Sequence, residues 1–158
     1  MDYLWSPWRY RYVTEERHTS DCVFCKKVEE DQDVKNLILY RGLNSFVLLN
    51  LYPYTSGHLM IAPYRHIGRL AEADDATWSE ITALTRKAEQ AIQTAYKPEG
   101  INLGMNLGKS AGAGIADHIH MHVLPRWQAD SNFISVIGET RVLPEILTDT
   151  YRKLKPLF

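Results

Sequence analysis

Apolar positions change their period several times along the chain, and each change predicts an element. Residues 37–40 and 46–51 are two short apolar runs separated by Arg41-Gly42-Leu43-Asn44, a hairpin pattern. After the turn-rich stretch Tyr52-Pro53-Tyr54-Thr55-Ser56-Gly57, a third strand is predicted from His58 to Ala62. Pro63 closes it, and Tyr64-Arg65-His66 lies just beyond. Between Asp74 and Tyr96 the spacing becomes three and four residues. Trp78, Ile81, Leu84, Ala88, Ile92 and Ala95 then share one face of a long amphipathic helix, ended by Pro98-Glu99-Gly100.

Beyond that helix, strands are expected over residues 101–107 and 117–124, the second stopping at Pro125, with a loop over 108–116 between them. A further strand is expected over 132–137. Pro144 is expected to open a last helix, with Leu143, Ile146, Leu147, Tyr151 and Leu154 on one face. Hairpin-linked strands with one long helix predict an α+β domain, an antiparallel sheet whose helices cover one side.

Composition narrows the picture. A length of 158 residues suits a single domain over 1–158, with an N-terminal arm over 1–20 and a C-terminal extension over 132–158. Tyr3, Trp5, Trp8, Tyr10 and Tyr12 interleave with Arg9 and Arg11 in the arm, which is expected to pack over the body or a neighbouring subunit. A formal net charge of -1, with no polybasic face, argues against nucleic acid or a membrane surface as the main partner. The N-terminus has no signal-peptide run and no stretch approaches a membrane span, so an intracellular, cytoplasmic protein is expected.

The two cysteines, Cys22 and Cys25, form C-x-x-C, which reads as half of a zinc site or as a redox pair. Zinc would need two more ligands, and His18, His58, His66, His118, His120 and His122 are available. The last three alternate with apolar residues in His118-Ile119-His120-Met121-His122, so a strand puts all three imidazoles on one face. Just upstream, glycines at 108, 112 and 114 let backbone N–H groups approach an anion unobstructed. Phosphate chemistry and metal ligation both stay open at this point. A purely structural role is disfavoured, because satisfying three alternating imidazoles in a core is costly.

The run His118-Ile119-His120-Met121-His122-Val123-Leu124 resembles the motif of the histidine triad (HIT) superfamily. Asn50 at a strand end, Gly57-His58 opening the next and Asn106 before the loop follow in the same order as in that family. The resemblance covers about residues 20–127. It implies a homodimeric nucleotide hydrolase or nucleotidyltransferase with a central antiparallel sheet. It also implies His120 as nucleophile, His122 as the phosphate-contacting partner, Asn50 at the ribose and Asn106 at phosphate.

In a zinc-binding subset of the family the ligands match Cys22, Cys25, His66 and His118, a closed set that would serve the scaffold and not the chemistry. The Trp-Ser-Pro-Trp-Arg arm, the GAGIADH loop and Pro-Arg-Trp ending at Trp127 look like a bacterial branch described as diadenosine tetraphosphate phosphorylases. Many relatives carry Gln and then Ser or Thr shortly before the first triad histidine. Here Ala113-Gly114-Ile115-Ala116-Asp117 stands instead, so a leaving-group acid is not assigned.

With that resemblance, His120 would attack an α-phosphorus to form a nucleotidyl-histidine, which water or phosphate resolves. Backbone N–H groups of 108–114, Asn106 and His122 would stabilise the developing charge. His58 would hydrogen-bond near the triad or donate to the leaving group. Gly108, Gly112 and Gly114 would line the phosphates, Lys109 and Ser110 would reach distal ones, and Leu48 and Leu51 would form a base pocket. These groups demand no divalent ion, although Mg2+ is compatible with a polyphosphate substrate. The alternatives are a hydrolase or phosphoramidase on AMP conjugates, or a non-catalytic nucleotide-binding module.

Overall fold

The computed structural model describes residues 22–130, 135, 137 and 143–158. The N-terminal arm and most of the strand expected over 132–137 lie outside the described residues. Five strands form one antiparallel sheet: β1 (Ile38–Arg41), β2 (Ser45–Leu49), β3 (Leu59–Pro63), β4 (Gly100–Gly104) and β5 (Met121–Arg126). Their order is β1-β2-β3-β5-β4. The first three form a meander. The chain then crosses by the long helix to the edge strand β4 and returns as β5, which fills the gap between β3 and β4.

The helices are α1 (Val23–Glu29), α2 (Asp33–Asn36), α3 (Asp75–Tyr96) and α4 (Leu147–Leu154). Helix α3 starts where Asp74 accepts from the Thr77 backbone N–H at 2.8 Å, an N-cap that satisfies a first-turn donor. It ends at Lys97 in the left-handed region, followed by Pro98. The expected apolar stripe is buried at Ile81, Leu84, Ala88 and Ile92, whereas Trp78 is exposed at its first turn.

The period of two in the strands divides the core into two layers. Leu39, Val47, Leu49, Leu59, Ile61 and Val123 face α3 and α4, packing with Ile81, Leu84, Ala88, Ile92, Tyr151 and Leu154. Ile38, Phe46, Leu48, Met60 and Ala62 point to the other side, where Phe24 of α1 covers them. Helices α3 and α4 thus sit on one side as expected, and α1, which the periodicity did not reveal, sits on the other. Glu80 of α3 accepts from the backbone N–H groups of Leu43 at 2.7 Å and Asn44 at 2.6 Å, tying the β1–β2 turn to the helix. A Cβ on Gly42 would meet that carboxylate at 2.5 Å and the Ser45 carbonyl at 2.9 Å, so a larger residue would force both to shift.

Several expected boundaries move. Strand β5 begins at Met121 rather than 117, leaving His118 and His120 in the segment that leads into the sheet. It also runs through Pro125 to Arg126. Pairing with β3 ends at Leu59 opposite Val123, so beyond that point β5 bonds only to β4. The side of Pro125 that lacks an N–H faces away from β4, and its carbonyl accepts from Thr55 Oγ1 at 3.1 Å. Strand β4 stops at Gly104, opposite His122, because the chain leaves the sheet there for the loop. The last helix starts at Leu147 and not at Pro144, and Leu143 and Ile146 are exposed. Glu145 anchors the segment before it by accepting from Tyr96 Oη at 2.5 Å and Thr150 Oγ1 at 2.9 Å, which removes the need for a longer helix.

Candidate functional site

A single row of paired residues, Ile38, Leu48, Met60, His122 and Gly104, crosses all five strands on the α1 side of the sheet. The triad therefore opens onto the same face as Leu48 and Met60. His118, His120 and His122 are all buried, and so is His58. Phe24 lies edge-on to His118 with centroids 5.2 Å apart and tilted against His120 at 5.0 Å. Burial in these apolar surroundings holds all four rings below the usual imidazole range, His58 down to about 2 and His118 and His122 down to about 4. Each ring is neutral, so each has one donor and one acceptor nitrogen.

Which nitrogen carries the proton follows from partners that can only accept or only donate. The His118 carbonyl accepts from His120 Nδ1 at 2.8 Å, so the lone pair of His120 is on Nε2. The Pro63 carbonyl accepts from His118 Nε2 at 2.8 Å, which leaves the His118 lone pair on Nδ1. His58 is reversed: its Nδ1 accepts from the Tyr54 backbone N–H at 3.2 Å and faces Asn50 Nδ2 at 3.3 Å. Asn50 Oδ1 accepts from the Tyr52 backbone N–H at 2.9 Å, which turns its amide nitrogen toward His58. His58 Nε2 then donates to His122 Nδ1 at 2.9 Å, so His122 presents an N–H at Nε2. The result is a nucleophilic nitrogen on His120 beside a hydrogen-bond donor on His122, with ring centroids 4.8 Å apart.

These two rings line a cleft with Leu48, Asn50, Leu51, Asn106, Gly112 and Gly114. Gly112 adopts φ 88, a left-handed turn that glycine reaches without strain. Gly108 and Lys109 instead line a neighbouring depression with residues 68–72, and the exposed Ser110 lines neither. Sequence reasoning did not reach Val23, Phe24, Lys27, Tyr52, Tyr54, Met60 and Ile115, which also line the cleft. For Val23, Phe24 and Lys27 a signal existed. They flank or interleave with Cys22 and Cys25, so any fold that carries the cysteines to His118 carries them to the triad. For the Tyr54 backbone N–H, side-chain identity holds no signal.

Cys22, Cys25, His66 and His118 come together behind the triad, their candidate ligand atoms all within 4.8 Å of one another. Sγ of Cys22 and of Cys25 lie 3.3 and 3.7 Å from His118 Nδ1, and Cys25 Sγ lies 3.5 Å from His66 Nδ1. Tetrahedral zinc with ordinary bond lengths requires sulfur-to-nitrogen edges of roughly 3.5 Å. The donors are of the right type, and the Pro63 carbonyl supplies the outer partner that ligating imidazoles need. Burial and the adjacent Cys22 push the Cys25 thiol up to about 11, so a dication is what would make two neighbouring thiolates tenable. This cluster could bind zinc. It is the only cluster of three or more such ligands among the described residues, so the magnesium expectation finds no protein ligand set there.

Residues 31–129 match the HIT domain family. The chain belongs to that family. An AP-4-A phosphorylase from Mycobacterium tuberculosis is 40% identical over 158 residues, covering 96% of this chain and 81% of that protein. The asymmetrical bis(5'-nucleosyl)-tetraphosphatase of Schizosaccharomyces pombe is 30% identical over 97 residues, covering 61% of this chain and 53% of that protein. A zinc-bound histidine triad family protein from Mycobacterium smegmatis shares the fold with a TM-score of 0.70 at 27% identity, covering 89% of this chain and 94% of that one.

Neutral histidines in a HIT site make its stability depend on pH with a definite sign. Unfolded, His58 and His122 titrate near 6.5; folded, they do so only at about 2 and about 4. Below about pH 6.5 the unfolded chain binds protons that the folded one refuses, so stability present above that pH is lost as pH falls toward 4. Melting curves between about pH 7 and 4.5 should show Tm falling with acidification, and a shallower fall in His58→Asn. A flat profile in the wild type would contradict the neutral assignment.

Proposed function

We propose that this HIT domain protein is a diadenosine tetraphosphate phosphorylase, acting on a small-molecule nucleotide through a nucleotidyl-histidine on His120. The observation that carries the proposal is the pair of opposed tautomers, a lone pair on His120 Nε2 beside an N–H on His122 Nε2 in an apolar cleft. The 40% identity to an AP-4-A phosphorylase over most of the chain supports the substrate class. In this mechanism His120 Nε2 attacks the α-phosphorus in line, the bond to the bridging oxygen breaks, and ATP leaves. His122 Nε2–H, Asn106 and N–H groups around Gly112 and Gly114 stabilise the phosphoryl oxygens. Phosphate then attacks the adenylyl-histidine, releasing ADP and restoring neutral His120.

Loss of the Ser or Thr donor in the Ala113–Asp117 segment fits this substrate better than a phosphoramidate. A leaving polyphosphate ends in a group whose pKa is about 6, so it departs as an anion without an acid, whereas an amine must be protonated. His58 acts as a positioning residue for His122, and Asn50, beside His58 and in the cleft, contacts the ribose. Leu48 and Leu51 form walls of the base site. Gly108 and Ser110 serve the more distal phosphates together with Lys109.

Zinc in the Cys22, Cys25, His66 and His118 set takes a scaffold role, because four protein ligands leave no coordination position for water. Its contribution is to fix α1 and the His118 peptide against the triad. The unbridged thiols suit a reducing compartment, and we assign the protein to the cytoplasm. No helix among the described residues is long and apolar enough to cross a membrane. We also propose a homodimer through β4: its outer edge pairs with no strand among the described residues, Leu103 on it is exposed, and so is Leu107 just after it.

Isotopically labelled phosphate tests the reaction. Cleavage of diadenosine tetraphosphate should give ATP and labelled ADP, and unlabelled AMP at saturating phosphate would make the protein a hydrolase instead. His120→Ala should lower kcat by at least about a thousandfold while nucleotide affinity stays within a few fold, as expected when only the nucleophile is lost. Retained turnover in that variant would refute the covalent intermediate. Native protein should carry one zinc per chain, and Cys25→Ser should lose it, with a Tm drop on the order of 10 °C from a loss of several kcal/mol. Metal-free protein from zinc-replete cells would exclude the assignment.

A further inference from the structure

Lys27 is the only Lys, Arg, Asp or Glu among the described residues that line the triad cleft. Its place there follows from the course of α1. That helix starts beside the triad, where Cys22 and Cys25 face His118 and Phe24 packs on His120. It ends over β1, where Arg41 of that strand donates to the Val28 carbonyl at 3.3 Å. Lys27 lies at this far end, its Nζ donating to the Asn36 carbonyl at 2.9 Å just before β1. The floor beneath includes His122, Met60 and Leu48, and the same row of paired residues continues to the fully buried Ile38 of β1. Two strand spacings, about 10 Å, carry from β5 to β2, and a third reaches β1. A nucleotide with its phosphorus at His120 and its chain running along this floor lays its base on Leu48, between Val23 and Leu51, with its outer edge toward Lys27.

Apolar walls grip the faces of any base alike and give little choice between them. An ammonium is different, because it has three donors and no acceptor. One donor is spent on Asn36, leaving two for the ligand. Guanine offers two adjacent acceptors, O6 and N7, whereas adenine pairs N7 with an amino group that itself donates. From this, resting on the nucleotide-transfer role proposed above, we infer that Lys27 is a specificity-determining residue that reads position 6 of the purine and favours guanine in this pocket. The substrate class then extends to mixed dinucleotides such as P1-adenosyl-P4-guanosyl tetraphosphate, bound with guanosine in the pocket. Attack by His120 forms a bond to the guanosine-side phosphorus and breaks its bridging P–O bond, so that ATP leaves. Phosphate attack on the guanylyl-histidine then yields GDP.

Two readouts separate this from a structural lysine. Titration calorimetry with GMP and AMP needs no turnover: wild type should bind GMP at least as tightly as AMP. Lys27→Met should weaken GMP about tenfold and AMP less than twofold, the scale of one lost base-edge contact, while Lys27→Arg should keep the wild-type order. With the mixed dinucleotide and phosphate, wild type should release GDP and ATP in excess over ADP and GTP, and Lys27→Met should shift that product ratio by a similar factor. Equal losses for both nucleotides, or a lowered Tm with the ratio unmoved, would overturn the inference and leave the transferase reading standing. Nucleotide binding with the expected preference but no turnover would overturn the transferase reading while supporting the assignment of Lys27.

Discussion

Four neutral imidazoles can share one corner of this protein because three have their protons placed by groups that cannot exchange roles, and the fourth, His122, takes its tautomer from His58. Carbonyls of Pro63 and His118 only accept, and the Tyr54 backbone N–H only donates. A charged ring at any of these positions would meet both desolvation and its neighbours, and the depressed pKa values of His58, His118 and His122 reflect that. The consequence is chemical division within one short motif. His118 turns its lone pair away from the cleft toward the cysteines, His120 turns its own into the cleft, and His122 turns a proton there.

Helix α1 is where scaffold and site meet. Its N-cap, Cys22, and its third residue, Cys25, supply two sulfurs to the His118 cluster, and between them Phe24 presses on both His118 and His120. A metal in that cluster would therefore restrain the wall of the cleft as well as the cysteines, and through the His118 peptide it would restrain the carbonyl that sets the His120 tautomer. The helix is only seven residues long. At that length helical propensity cannot hold it alone, so tertiary anchors at both ends decide its position.

The opposite face of the sheet supplies rigidity. Helix α3 buries its stripe on Val47, Leu49, Leu59, Ile61 and Val123, and α4 closes the layer with Tyr151 and Leu154. Tyr151 Oη donates to the Ile38 carbonyl at 3.1 Å and Lys155 Nζ to that of Leu39 at 2.8 Å, so the last helix is tied to β1 by its backbone. With one face so committed, the alternation of strand side chains forces the other set, including His122, toward α1 and the cleft.

Much of this was legible in the chain. The two-residue period of the strands, the long amphipathic helix, the glycine-rich loop and the spacing of the three histidines are local patterns, and local patterns dictate backbone period and face. The resemblance carried by His118 to Leu124 and by Asn50, His58 and Asn106 pointed to the family. Other features required the fold. Strand β5 passes through Pro125 because its β3 partner has already ended, which no property of Pro125 reveals. Gly108 and Gly112 are four residues apart in one loop, yet they line different depressions. Lys27 reads as an ordinary helix-surface lysine until α1 is laid across the sheet. Each depends on which distant backbone group lies opposite, and a proton's position on an imidazole depends on the same thing: the histidines are written in the sequence, but their tautomers are set by carbonyls and N–H groups that only tertiary packing brings within hydrogen-bond range.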